Sequence, residues 1–468
     1  MSPQCRGHSK GLAVIRKGMR RPQPYPEMET LTLTKVALIS KRARREPKFQ
    51  FTSLAHLLDE GFLAACYVRL GRDRASGIDG VTWRAYGERL PENLRDLVSR
   101  LKRKSYKPQP SRRIYIPKDK QSKRPLGLPT LEDKIVQKAI AWILEAIYEA
   151  DFLDCSYGFR PNRGCHPALD AVDKLIMTKR INHIVEADIK GFFDNVSHAW
   201  LMKGLEVRIK DPSFLLLIQR FLKAGYMEGG AFVETEKGTP QGGNLSPILS
   251  NIFLHYVLDL WFERKVRPQL RGAGYLVRYA DDYLCMLQYR EDARNIERAL
   301  RERFKKFGLE LHPEKTRVIS FGKFERENAE KQKRPANTFD FLGFTHYCAK
   351  SRKGKFIVGR KTSRKKFRMK CKDMNQWLIR VRNAEQVKRW WPILALKLRG
   401  HYAYYGVSGN MRSLNRFYYT TKRLTFKWLN RRSQRNSFNW VEFESYLKCY
   451  PLPKPRIVHN MYTLSPVS

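Results

Sequence analysis

Acidic residues are scarce in this 468-residue chain: 45 Asp and Glu stand against 91 Lys and Arg, a formal net charge of +46 at pH 7. An imbalance of this size is far more than solubility requires, so the natural partner is a polyanion. Aromatic residues make up 12% of the chain and alternate with basic ones, as in Arg416-Phe417-Tyr418-Tyr419. Charge attraction and base stacking are both available, which favours RNA or DNA over a membrane surface.

Closely spaced cysteine pairs and long apolar runs are also missing. The eight cysteines contain no Cys-x-x-Cys pair, which argues against a zinc ribbon or a disulfide framework and fits a reducing compartment. Apolar runs such as Phe214 to Ile218 are too short to span a bilayer, so we expect no transmembrane helix. The basic start, Met1 to Pro26, lacks the apolar stretch of a secretory signal. We interpret it as a disordered arm, with an organellar transit peptide as the alternative.

The spacing of apolar residues predicts the elements of the first two thirds of the chain. Three- and four-residue steps between residues 30 and 70 predict helix, and the apolar stretch from Leu131 to Tyr148 predicts another. Alternation from Arg112 to Pro117, followed by a Lys-rich loop, predicts a strand-loop-strand finger. The run Ile184-Val185-Glu186-Ala187-Asp188 predicts a short strand that ends in a carboxylate. Residues 322–336 are interpreted as a charged, loop-like insertion.

The remaining third is basic and then helical. Lys350 to Lys372 contains no acidic residue and is interpreted as a linker or a basic hairpin. Beyond it, aromatic and Leu residues from Trp390 to Trp428 recur at helical spacing. The expected division of the chain is a basic arm at 1–29, a catalytic region at 30–349, a basic linker at 350–380, a helical domain at 381–455 and a tail at 456–468.

The sharpest chemical signal is Tyr279-Ala280-Asp281-Asp282, which lies between two apolar-rich runs and predicts a β-hairpin with an acidic turn. Asp also suits ordinary turns, because its side chain bonds its own backbone. Two adjacent carboxylates beside buried strands nevertheless repel each other, and a bound cation would relieve that repulsion. The pair therefore predicts a metal site.

A third carboxylate, Asp188, ends the predicted strand before Gly191. Hard divalent ions such as Mg²⁺ take oxygen ligands, and the carbonyl of Ile189 offers one more. If the two strands are neighbours, Asp188 and Asp281 bridge a pair of ions. One ion would lower the pKa of a primer 3′-hydroxyl and the other would stabilise departing pyrophosphate. The pattern predicts nucleotidyl transfer.

An ordered series of motifs resembles the bacterial and organellar group II intron reverse transcriptases over about residues 30 to 455. Besides the two acidic segments, the series comprises Arg124-Pro125-Leu126-Gly127-Leu128-Pro129, Tyr157-Gly158-Phe159-Arg160-Pro161, Gly238-Thr239-Pro240-Gln241-Gly242-Gly243, Gly308 to Lys315 and Phe341-Leu342-Gly343. The resemblance implies an α+β right-hand polymerase fold, with fingers, a palm built on an antiparallel ferredoxin-like sheet, and a C-terminal helical thumb or maturase domain.

The resemblance also implies roles for single residues. Asp188, Asp281 and Asp282 are the expected catalytic residues and, with Ile189, the ligands of two Mg²⁺ ions, with Mn²⁺ as an alternative. The expected nucleotide-binding residues are Lys118, Arg124, Phe193, Gln241 and Lys315, with Phe193 under the incoming sugar, where it would clash with a 2′-hydroxyl. Arg160 and Arg163 are expected to bind template or primer phosphates. A solvated basic surface, a plain Gly-Gly turn and core packing of Phe193 remain the alternatives.

The implied partners are structured RNA such as group II intron RNA, an RNA template, a DNA primer and dNTPs, in the bacterial cytoplasm or an organelle. Larger members of the family carry an endonuclease with Cys and His residues after the thumb. No such clusters follow Pro455 in this chain, so autonomous target cleavage is not expected. The competing hypotheses are a non-catalytic RNA-binding splicing factor, a domesticated enzyme of phage defence and an RNA-dependent RNA polymerase.

Overall fold

A computed structural model describes residues 26–117, 123–239, 242–432 and 437–461. Its helices are α1 Pro26–Arg45, α2 Glu60–Val68, α3 Trp83–Gly87, α4 Leu90–Lys102, α5 Leu131–Tyr148, α6 Cys165–Thr178, α7 Phe192–Asn195, α8 His198–Glu206, α9 Pro212–Lys223, α10 Ser246–Leu254, α11 Arg290–Lys306, α12 Glu325–Lys331, α13 Arg364–Ala384, α14 Val387–Tyr405, α15 Met411–Leu429 and α16 Trp440–Cys449.

The strands are β1 Ser111–Pro117, β2 Lys123–Leu128, β3 His183–Ala187, β4 Tyr226–Glu228, β5 Ala231–Val233, β6 Gly274–Tyr279, β7 Asp282–Leu287, β8 Arg317–Ser320, β9 Thr338–Phe341, β10 Phe344–Lys350 and β11 Phe356–Thr362. They form three sheets, with the strand orders β2-β1-β4-β5, β6-β7-β3-β8 and β11-β10-β9. None of the described helices is long and apolar enough to cross a membrane.

The central sheet is antiparallel throughout, as expected for the palm. Alternate residues along a strand point to opposite faces, and here both faces are buried. Val185 and Cys285 belong to one apolar core with α5, α10 and α11. Ile184 and Leu284 belong to a second core, together with α6 and the helices α13 to α16. Burial on both faces explains why these strands read as nearly continuous apolar runs.

The fingers begin with the predicted β1–β2 hairpin, whose antiparallel register pairs Ile116 with Arg124. Strand β1 also pairs in parallel with β4, an association between distant segments that the local sequence pattern did not predict. The predicted helix from Leu131 to Tyr148 is confirmed as α5. Its N-terminus is capped by Thr130, whose hydroxyl accepts from the Asp133 amide. Most of its residues are buried, so α5 forms the centre of the first core.

The C-terminal third departs from the expected linker. Residues 350–380 contain β11, which pairs with β10 and so confirms the alternative interpretation as a basic hairpin, and they also contain most of α13. Helices α13 to α16 make up the expected helical thumb, so helix begins at Arg364, earlier than residue 381. The insertion at 322–336 contains α12, which is held by the ion pair of Glu325 with Arg334 (2.6 Å), and is therefore not simply a loop.

The two ends of the chain are partly described. Helix α1 begins at Pro26, so the expected arm at 1–29 is too long by four residues, and residues 1–25 lie outside the described part. At the other end, His459 forms a bridge with Val407 and Met461 is buried, so the start of the expected tail packs on the thumb. Residues 462–468 are outside the described range.

Candidate active site

The acidic turn, Tyr279 to Asp282, closes the hairpin of β6 and β7 as predicted. Tyr279 and Asp282 form its last pair, which leaves Ala280 and Asp281 as a two-residue turn. Ala280 has a φ of 56°, in the left-handed region that residues with a Cβ atom rarely adopt. The surrounding structure must therefore hold this turn in place.

Asp188 lies beside the acidic turn because β3 is the antiparallel neighbour of β7. The last pair of that ladder joins Ala187 to Tyr283, and the same register carries Asp188 to the position opposite Asp282. The Asp188 carbonyl accepts a hydrogen bond from the His312 amide at 2.8 Å. The predicted meeting of the two acidic segments at one end of the sheet is thus seen in the structure.

The carboxylates influence one another electrostatically. Burial among protein atoms, followed by the charges of Asp281 and Asp188, raises the pKa of Asp282 to about 6, although the charge of Lys366 acts in the opposite direction. The Asp282 side chain nevertheless opens to the cleft. A group of acids that resist ionising together is the environment in which a divalent cation binds favourably.

Lys315 lies in the same cleft, as the sequence motif implied. Its Nζ stands 2.6 Å from the Oδ2 of Asp188, and both side chains are partly exposed. This contact places the positive charge of Lys315 next to the carboxylates.

The carboxylate oxygens suit Mg²⁺ or Mn²⁺ chemically, since both ions prefer oxygen ligands. In the described part of the chain, however, no three Asp, Glu, His or Cys side chains stand close enough together to enclose an ion. The expected ligand Ile189 is buried and forms a bridge with Leu311 beside the acids.

Two adjoining cavities open at the acids. The acidic cleft has a volume of about 440 Å³ and is lined by residues of the palm, of the β9–β10 turn and of the start of α13: Glu186, Asp188, Asp282, Lys315, Arg317, Asp340, Phe341, Leu342, Gly343, Lys365 and Lys366 among others. The thumb groove, of about 690 Å³, shares Asp282, Leu342, Gly343 and Lys366 with it and continues along α13 and α14. The expected primer grip, Phe341-Leu342-Gly343, therefore lies between the two.

The expected nucleotide-binding residues are not all brought together. Phe193 is partly buried and lines a separate cavity of about 390 Å³, with Arg113, Gly127 and Thr239, rather than the acidic cleft. Arg124 is exposed on β2, on the finger hairpin. Lys118 and Gln241 lie outside the described residues.

The two expected phosphate-binding arginines differ. Arg160 is buried, and its guanidinium is held by Glu149 (2.8 Å) and by the carbonyls of Leu153 and Ser156. This burial contradicts the predicted contact with nucleic acid, because a side chain saturated inside the fold has no face for a phosphate. Arg163 is partly exposed and pairs with Asp154 at 2.5 Å, so its role stays a prediction.

Comparison with known proteins agrees with this geometry. Residues 116–346, which include all three acids, match the family model described as reverse transcriptase (RNA-dependent DNA polymerase). Residues 116–346 form a reverse transcriptase domain. The group II intron-encoded protein LtrA of Lactococcus lactis is 38% identical over 275 residues, 56% of this chain and 46% of LtrA. The protein YkfC of Escherichia coli is 37% identical over 241 residues, 45% of this chain and 63% of YkfC.

These relatives confirm the resemblance to the group II intron reverse transcriptases. The chain spans about half the length of LtrA. A solved telomerase of Candida albicans in complex with telomeric RNA aligns with 79% of this chain and 66% of that chain, with a TM-score of 0.42 and 13% identity.

Sequence reasoning missed several residues that shape this site. Lys366 and Glu186 line the acidic cleft, but a lysine in a basic stretch and an acid inside a strand gave no distinct signal. Arg278 and Asp259 are completely buried and bonded to each other at 2.6 Å. A signal did exist for Asp259, because a charged residue within an apolar helical run is rarely buried without a partner.

Proposed function

We propose that this protein is a reverse transcriptase that extends a primer 3′-hydroxyl with dNTPs on an RNA template. The observation that carries the proposal is the group of Asp188, Asp281 and Asp282 at adjoining strand ends, where the pKa of Asp282 is raised to about 6. A protein that only bound RNA would have no physical reason to gather three mutually repelling carboxylates. RNA-directed DNA synthesis makes use of them.

The metal ligands in this proposal are Asp188, Asp281, Asp282 and the carbonyl of Ile189, holding two Mg²⁺ or Mn²⁺ ions. When bound, such ions activate the attacking hydroxyl and neutralise charge on the leaving pyrophosphate. Lys315 and Lys366 add positive charge around the carboxylates, where phosphate oxygens of nucleotide and primer would lie. Their ammonium groups would hold these oxygens in line with the primer terminus.

The nucleotide would be gripped from the fingers. We propose that Lys118 and Arg124, the second of which lies on β2, bind its triphosphate, and that Gln241 lies beside it. The guanidinium of Arg124 offers a fork matched to phosphate oxygens. Phe193 is proposed to exclude a 2′-hydroxyl, which would select deoxynucleotides and argues against an RNA-dependent RNA polymerase.

We also propose that the thumb binds structured RNA, such as intron RNA, in splicing and mobility. Helix α13 carries Arg364, Lys365, Lys366, Arg368, Lys370 and Lys372 within its first half. Such a row suits the backbone of A-form RNA, which proteins recognise by shape and charge. The name of LtrA, a group II intron-encoded protein, supports this choice. The bacterial cytoplasm is the proposed compartment, with an organelle as the alternative.

The deciding experiment is primer extension on an annealed RNA template, with dNTPs or NTPs and with Mg²⁺ or EDTA. We expect Mg²⁺-dependent DNA products from the wild type and none from Asp281→Asn. Asp96→Asn, on the exposed face of α4, is the matched control and should remain active. Tight RNA binding without synthesis by the wild type would favour the non-catalytic splicing factor. Full activity of Asp281→Asn would remove the metal assignment.

A further inference from the structure

Arg278 lies completely buried directly before the acidic turn. All five of its guanidinium N–H groups have acceptors: two bonds go to the Asp259 carboxylate (2.7 and 2.6 Å), and one each to Asn251 Oδ1, Ser156 Oγ and the Ala280 carbonyl. Five is the full donor capacity of arginine. The side chain is therefore fixed in one position and has no donor left for substrate.

The contact with the Ala280 carbonyl reaches the acidic turn itself. Nη1 of Arg278 donates to that oxygen at 3.0 Å and to Oδ1 of Asn251 at 3.0 Å. Ala280 is the residue with the positive φ, whose conformation is costly unless its surroundings enforce it. One guanidinium nitrogen thus ties the strained residue to the helix that carries Asn251.

Asp259, the ion-pair partner of Arg278, lies in a π-helical segment. Helix α10 continues into two π-helical turns, and Asp259 is the last residue of the first, His255–Asp259. Such turns are rare and often occur at functional sites. Asp259 is fully buried, so its carboxylate has been taken out of water to meet Arg278. A simple apolar pair would avoid the large cost of desolvating these charges.

Asn251 closes the network on the other side of the turn. Its Nδ2 donates to the carbonyl of Gly158 at 2.7 Å, and Gly158 packs on the backbone of Ala280. The backbone of Arg278 is itself bonded to this segment: its amide donates to Cys155 and its carbonyl accepts from Tyr157. The acidic turn is therefore held both by α10, which carries Asn251, and by residues 155–158.

We infer that Arg278, braced by Asp259 and Asn251, is a positioning residue that fixes the Ala280–Asp281 turn so that the carboxylates of Asp281 and Asp282 stand where metal ions bind. It touches neither substrate nor metal, and it acts through the backbone of Ala280. The inference rests on the proposed polymerase function for its kinetic consequences, but its prediction for metal binding is independent of activity.

The test uses Arg278→Lys, which keeps the positive charge but cannot donate hydrogen bonds to all five acceptors. Mn²⁺ binding is measured by electron paramagnetic resonance without nucleotide, and primer extension is measured in parallel. We expect Mn²⁺ affinity to fall about 10- to 100-fold, as when residues supporting metal ligands are replaced. We also expect kcat to fall while the KM for dNTP stays within a few-fold, because Arg278 does not contact the nucleotide.

Arg208→Lys is the matched control. Arg208 is another buried arginine, bonded to Asp151 and to the carbonyls of Pro47 and Ala43, and none of these residues lines the acidic cleft. This variant should lose thermal stability but keep wild-type Mn²⁺ affinity. Ser156→Ala, which removes a single acceptor, serves if Arg278→Lys does not fold, and it should weaken Mn²⁺ binding to a smaller extent.

The inference would be overturned if Arg278→Lys had wild-type Mn²⁺ affinity and kcat. If Arg278→Lys does not fold, the same result in Ser156→Ala would overturn it. Equal loss of Mn²⁺ affinity in Arg208→Lys would also overturn it, because the effect would then follow from general destabilisation. If the wild type binds Mn²⁺ but synthesises no DNA, the proposed function fails. Weaker Mn²⁺ binding in Arg278→Lys would still support the positioning role in that case.

Discussion

Gly158 lies so close to Ala280 that a Cβ atom built on Gly158 would stand 2.4 Å from the Ala280 amide nitrogen. Real Cβ atoms do not come this near to a backbone atom, and backbone cannot swing aside as a flexible side chain can. The glycine of the Tyr157-Gly158-Phe159-Arg160-Pro161 motif therefore serves the acidic turn. Its requirement for glycine comes from close packing and not from its own backbone angle.

Replacing Gly158 with Ala should displace the acidic turn and lower primer-extension kcat about 100-fold, the typical cost of moving a reacting group by about 1 Å. The measurement is single-turnover extension with saturating dNTP. Gly164→Ala, six residues further along, is the control, because its added Cβ would meet only Pro167 Cδ at 4.0 Å. Near-wild-type kcat for Gly158→Ala would mean that the turn tolerates displacement.

Replacing Lys315 with Met should change the metal requirement. The ammonium group no longer competes for Asp188, so the Mg²⁺ concentration giving half-maximal extension should fall. The maximal rate should fall as well, because a positive charge near the phosphates is lost. Mg²⁺ titrations of extension would measure both effects. Lys190→Met breaks the exposed pair with Glu310 and is the control. A higher Mg²⁺ requirement would contradict the competition.

Much of the site could be predicted because its signals are local. The acidic turn, the strand ending at Asp188 and helix α5 each follow from apolar periodicity and turn residues within one short window. The antiparallel order of the strands came from family resemblance and is confirmed by the pairing of β3 with β7 and β8. The secondary structure predicted from apolar periodicity agrees with the structure in segments that bury one apolar face.

Contacts between distant segments of the chain could not be predicted from the sequence. Arg278 and Asp259 are 19 residues apart, and Asp259 ends a π-helical turn that apolar periodicity does not predict. Arg160 follows a glycine-containing segment and has the sequence context of a solvated basic residue. Its side chain is nevertheless buried, because Glu149 and backbone carbonyls bind the guanidinium group. The basic segment from Lys350 was compatible with a linker or a hairpin, and its charge alone could not predict that α13 begins at Arg364 and contributes Lys365 and Lys366 to the acidic cleft.

Replacing Phe193 with Ala should relax selection between dNTPs and NTPs. The ring packs edge to face on Phe192, and the Phe193 carbonyl accepts from the Thr239 amide at 2.7 Å, so the backbone should keep its place when the ring is removed. We expect the kcat/KM ratio of NTP to dNTP to rise at least about tenfold, equivalent to about 1.4 kcal/mol. Phe324→Ala, at an exposed position, is the control. An unchanged ratio would assign Phe193 to core packing.

The histidine His346 on β10 is buried and should make the stability of the fold depend on pH. Its ring stacks on Phe339 with centroids 4.6 Å apart, and burial, followed by the charge of Arg360, lowers its pKa to about 3. The folded state keeps this ring neutral, whereas the unfolded chain takes up a proton near pH 6.5. Its contribution to stability is therefore present above pH 6.5 and is lost as pH falls from 6.5 towards 3.

Replacing His346 with Leu should flatten the decline of the unfolding free energy below pH 6.5, by about 1.4 kcal/mol per pH unit. Denaturant unfolding at pH 7.5, 6 and 5 measures this slope. Phe339→Leu removes the stacking partner but no titrating group, so it should lower stability by a similar amount at each pH and leave the slope unchanged. A wild-type slope in His346→Leu would show that other groups govern the acid sensitivity of this fold.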